Sequence, residues 1–178
     1  MFEVPWSTFF IAIYAYLGIV VGQLLIKIAP EEIKPGRRYF HYAHIFLMLF
    51  LLLFIYFFGL INIDIYFFVL AFIGIILGIF EANIFLFLSI GMVVFLNELA
   101  IVFGAIVFVQ GMISTVIDQN NKAFFYNSLY YFVPLILLFV VIAFRTIATR
   151  YGMPLIFGGF LACLPQFLSS MGMNRERR

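Results

Sequence analysis

From Asn62 to Asp118 the chain is an almost unbroken run of Ile, Leu, Val and Phe, interrupted by polar pairs at three points: Asn62 with Asp64, Glu81 with Asn83, and Asn97 with Glu98. These breaks recur about every 15 to 20 residues, near the length of one helix across an oily layer ~30 Å thick. A chain so patterned belongs in a bilayer. With 66% hydrophobic and 10% charged residues, it has too little polar side chain to coat a water-soluble globule. Inside lipid the backbone finds no water to bond, so only helices or closed barrels can span it. The runs lack the polar-apolar alternation of barrel strands. The sequence therefore predicts an all-α, polytopic transmembrane helical bundle forming a single integral membrane domain over residues 1–178.

Several function classes drop out at once. A net charge of +2, scattered along the chain, gives no patch for nucleic acid. The lone Cys163 excludes an intrachain disulfide, a Cys-x-x-Cys redox pair and a cysteine-rich metal site. The N-terminal stretch MFEVPWS has Glu3 and no Lys or Arg, unlike a secretory leader, so the first helix is expected to be retained. No zinc-protease helix, nucleophile elbow, phosphate loop or Asp-rich cluster is present. No cofactor is expected, and no motif places the chain in a known family.

Three crossings are easily placed, at 7–28, 40–61 and 154–171, and a fourth, at about 129–147, follows the polar stretch that begins at Asp118. If each polar pair of the central run caps a hairpin at the membrane surface, three more follow and the total is seven. Merging two central segments gives six, but sinks Glu81, or Asn97 with Glu98, into the hydrocarbon, where a central acid costs roughly 2.5 to 3.5 kcal/mol. Lys and Arg collect on the cytoplasmic side. Seven crossings put Lys27, Lys34, Arg37, Arg38, Lys122, Arg175, Arg177 and Arg178 on one side, against Arg145 and Arg150. Seven is therefore preferred, in a cell membrane, with the N-terminus outside and the C-terminus cytoplasmic.

The charged segment IAPEEIKPGRRYFHYAHIF, residues 28–46, is expected to be the first connection. Pro30 and Pro35 stop the first helix near Ala29, and Gly36 supplies a turn. Glu31 and Glu32 suit the first turn of a short helix. Arg37 and Arg38 fall at headgroup depth, as candidate lipid-headgroup contacts, ahead of an aromatic belt of Tyr39, Phe40 and Tyr42. His41 and His44 share a helix face and, with Glu31 or Glu32, are the only candidate metal ligands; plain packing is the simpler reading.

With seven crossings Gln23, Ser89, Gln110 and Gln166 remain at depth, where side chains of this kind bond neighbouring helices. Pro165 should kink the last span. Small residues mark helix-packing faces: Gly18 with Gly22, Gly74 with Gly78, and Gly158 with Ala162. They serve contacts within the chain, with a second copy, or with a membrane-protein partner.

Three functions are consistent with these features. The first is a non-catalytic structural or accessory subunit whose Phe-rich surface meets lipid and partner helices. The second is an ion or small-solute carrier built on Glu98, Asn97, Glu81, Asn83, Gln110 and Gln166. The third is a lipid-acting enzyme at the interface, with His41, His44, Glu31 and Glu32 as its chemistry.

Overall fold

Polar breaks in an apolar chain are where helices end, and the computed structural model follows that rule over the residues it describes: 6–59, 65–81, 83–95, 98–118, 121–140 and 152–165. These form seven helices and no strand among the described residues. They are α1 Trp6–Ile28, α2 Pro30–Gly59, α3 Ile65–Glu81, α4 Ile84–Val94, α5 Glu98–Asp118, α6 Asn121–Val140 and α7 Gly152–Pro165. Three helical stretches are long and apolar enough to cross a membrane: Phe9–Ile28, Pro30–Phe57 and Leu99–Asp118. Glu81 is the last residue of α3 and Glu98 the first of α5.

Two expectations about boundaries need correction. Pro35 and Gly36 do not break the chain; α2 runs through both, and Ala29 alone separates it from α1. Pro35 lies in the second turn, so its missing N–H deprives only the carbonyl of Glu31, at an exposed residue that water can serve. The crossing placed at 129–147 likewise starts earlier, since from Asn121 onward the chain already forms the first turns of α6. The Pro165 kink falls at the end of the described residues.

Contacts between helices set their directions. α1 and α5 are parallel, Gly104 meeting Ile11, Gly18 meeting Phe108, and Gly22 meeting Met112 and Thr115. α2 runs against α5, with Arg37 bonded at Ile117 and His44 at Gln110. α6 runs against α1, and α7 against α4, where Gly159 lies on Phe87 and Gly152 on Val94. α3 is parallel to α7, Phe67 pairing with Phe157 and Gly78 with Ala162. Each of these pairings agrees with strict up-and-down alternation along the chain. One face of the bundle thus gathers the ends of α1, α3 and α5 and the starts of α2, α4 and α6.

The expected small-residue faces are spent on contacts within one chain. A Cβ on Gly18 would collide with the Phe108 carbonyl, and one on Gly22 would stand 2.6 Å from the Met112 oxygen. Gly74 and Gly158 meet the carbonyls of Leu155 and Ala71 in the same way, and Gly78 abuts Ala162. Backbones approach this closely only where side chains are absent or minimal.

At the centre sits α4, apolar all round and correspondingly enclosed. Ile84, Phe85, Phe87, Leu88, Ser89, Met92 and Val94 are all buried. Its eleven residues rise only ~16 Å. Asn83 and Phe95 at its ends are extended, and extended residues rise ~3.3 Å each. Buried non-helical backbone needs hydrogen-bond partners within the protein. Here the Asn83 side chain accepts from the Phe85 amide at 2.9 Å, and the Phe95 amide donates to the Gly91 carbonyl at 3.0 Å.

α1 and α6 are joined by a reciprocal tyrosine clasp. Tyr131 donates to the Ala12 carbonyl at 2.8 Å. Ser128 donates to Phe124 at 2.8 Å, so in its 3.2 Å contact with Tyr16 the phenol is the donor. Tyr131→Phe, which keeps the packing and deletes one buried bond, is expected to cost about 1 kcal/mol in detergent unfolding titrations.

A polar seam as the candidate functional site

On α2 the residues Arg37, His41 and His44 lie four and three apart, hence on one face; on α5 Gln110, Ser114 and Asp118 repeat every four. The antiparallel packing of the two helices lays these faces against one another. Arg37 Nη2 donates to the Ile117 carbonyl at 3.2 Å, where unsatisfied carbonyls and the helix dipole favour a cation. Its charge also acts on the Asp118 carboxylate and on His41, which in turn acts on His44. Seven residues further along α2, a rise of ~10 Å, His44 is 1% exposed and Gln110 opposite it is 0% exposed.

The contact between those two is unusual in shape. Gln110 Nε2 stands 3.1 Å from His44 Nδ1 and 3.4 Å from its Nε2. An atom nearly equidistant from both ring nitrogens lies across the ring rather than along either lone pair. Gln110 Oε1 and His41 Nε2 are buried without a hydrogen-bond partner. Past this pair the buried residues described on the two helices are apolar, Met48, Leu51, Ile55, Ile106 and Val107 among them. Phe54, Phe95 and Phe103 close the seam, with ring centroids 4.7 to 6.2 Å apart.

A second line of polar groups crosses the same face of the bundle. Asn83 Nδ2 donates to Asn127 Oδ1 at 3.1 Å, and Asn127 Nδ2 to Asp118 Oδ2 at 3.4 Å. The cap of α4 is thereby tied to α6 and α5, and through Arg37 to α2. Asn127 is buried. Asn127→Leu strands the Asn83 amide and removes a donor from Asp118, and is expected to cost about 1 to 3 kcal/mol in unfolding titrations. Asp118 and Asn127 are not among the sequence candidates; the four-residue repeat of polar side chains on α5 is the available signal for Asp118.

The structure unites some sequence candidates and separates others. It brings Gln110 to His44, and Asn83 to Asn127. It does not bring Glu31 and Glu32 to the histidines, because a continuous helix holds them ~14 to 20 Å apart along its axis. That removes the constellation on which metal binding with those acids and the interfacial enzyme both depended. Among the described residues no group of three His, Cys, Asp or Glu side chains is placed to hold a metal ion. Arg37 serves as a clamp between helices, and Arg38 is exposed. Asn97 and Gln166 lie outside the described residues, as do the side chains of Glu81 and Glu98. No family model, curated protein or solved structure matches the chain.

Proposed function

We propose that the chain is a seven-crossing integral membrane protein, a single domain that acts as a non-catalytic structural or accessory subunit of a membrane assembly. The observation that carries the topology is the alternation of helix directions, which gives α4 a crossing of its own. Aromatic residues support the same reading. Tyr39, Tyr42 and Tyr126 are exposed toward one face, Tyr56 and Tyr66 toward the other. Along α2 the two sets are separated by ~21 to 26 Å, close to the hydrocarbon thickness that tyrosine belts bracket. Lys27, Lys34, Arg37, Arg38 and Lys122 belong to helix ends of a single face, and the tendency of Lys and Arg to collect on the cytoplasmic side supports reading that face as cytoplasmic, with the N-terminus outside and the C-terminus inside.

The accessory role rests on the large apolar side chains exposed between those belts. On α3 alone Tyr66, Phe68, Phe72 and Phe80 are all more than 60% exposed. Such a surface suits lipid and the helices of a partner. Native mass measurement of the chain extracted from its own membrane in mild detergent tests this, with an assembly of fixed stoichiometry as the expected result. A 20.6 kDa monomer that carries solute flux in liposomes, abolished by Glu98→Gln, supports the carrier reading instead.

A further inference from the structure

We propose that the α2–α5 seam is a one-sided proton site, in which His44 takes up a proton that enters between Arg37 and Asp118 and passes His41. The plug of Phe54, Phe95 and Phe103 keeps that proton from leaving by the opposite face. The proposal rests on the membrane-bundle reading above.

Three independent features support it. The chain has two histidines, and both lie on the seam face of α2, one turn apart, with a carboxylate at its mouth. Two buried polar atoms on this path lack partners, Nε2 of His41 and Oε1 of Gln110; unpaired groups are rare at such depth and call for an explanation. Finally, the seam is polar for ~10 Å from one face and apolar beyond. A packing device has no need of that asymmetry, whereas a proton well does. Ionisable groups inside a bundle are relay candidates on physical grounds.

The chemistry needs no other reactant. A proton from water at the mouth binds the free ring nitrogen of His41 and moves on to the neutral imidazole of His44, which gains one positive charge. Rotation of the Gln110 amide by half a turn then replaces Nε2 by Oε1 over the ring, so that the negative end of the amide dipole faces the new imidazolium charge. Release reverses each step. Among the described residues, the polar and ionisable groups on the two seam faces near His44 are Arg37 and His41 on α2, and Gln110, Ser114, Thr115 and Asp118 on α5. α1 brings Gln23 to the level of Thr115 through the contact of Gly22, and Phe95, which follows α4, packs on Phe54 of α2.

The test uses the full chain in oriented proteoliposomes, with a cysteine at position 122 in a Cys163→Ser background to report insertion. Lowering the pH on the Lys122 face is expected to shift the ring 15N signals of His44, and lowering it on the other face to leave them unchanged. Phe103→Ala is expected to open the plug and let protons cross, and Phe103→Ala with His44→Leu to return flux to the wild-type level. A leak independent of His44, or a His44 ring that stays neutral at every pH at which the bundle remains folded, overturns the proposal. Failure of the full chain to float with the liposomes after an alkaline wash would overturn the membrane reading itself, and the proton site with it.

Discussion

Gly18→Val is expected to separate α1 from α5 and lower stability by about 3 kcal/mol, the upper end of the range for overpacked cores. The new side chain has nowhere to go, because the obstacle is the Phe108 carbonyl of a packed helix rather than a movable side-chain tip. Exchanging Gly for Val does improve helix propensity, by only about 0.4 kcal/mol, so the collision decides the sign. Gly36→Ala is the matched control. Its Cβ would meet the Phe40 ring at 3.3 Å, a contact with the far end of a flexible side chain, and the result should be neutral or stabilising by up to about 1 kcal/mol. Detergent unfolding titrations of both variants measure the contrast.

Gly158→Val should do equal local damage with a different outcome. It drives a side chain into the Ala71 carbonyl of α3. Among the described residues, none of the close pairings of α1, α2, α4, α5 and α6 includes α3; α7 holds it through Gly74, Gly78 and the Phe67–Phe157 ring pair. Amide exchange should therefore accelerate across α3 while α1, α5 and α6 keep their protection. A uniform loss of protection would mean that α3 is integral to the cooperative core.

How much of this was written in the sequence varies with the physics involved. Helix ends at Glu81 and Glu98 were legible because a carboxylate in hydrocarbon is so costly that its position alone marks a boundary. The glycine pairs were legible as packing faces, but not as to their partners, since which helix meets Gly18 depends on tertiary arrangement. Pro35 misled because the rule that proline ends helices weakens near a helix start, where the one carbonyl it deprives, that of Glu31, is exposed to water. The seam escaped notice for a related reason. Polar groups on two helices become a site only when their register is known, and the match of 37 with 117 and of 44 with 110 is a property of the fold.

The central claim is that the short helix α4 carries the chain from one side of the membrane to the other. Single cysteines at positions 81 and 98, in a Cys163→Ser background, test it by labelling intact vesicles with an impermeant maleimide. Position 81 should react from the Lys122 side and position 98 from the opposite side. Reaction of both from the same side, or protection of either from both sides, would contradict the account.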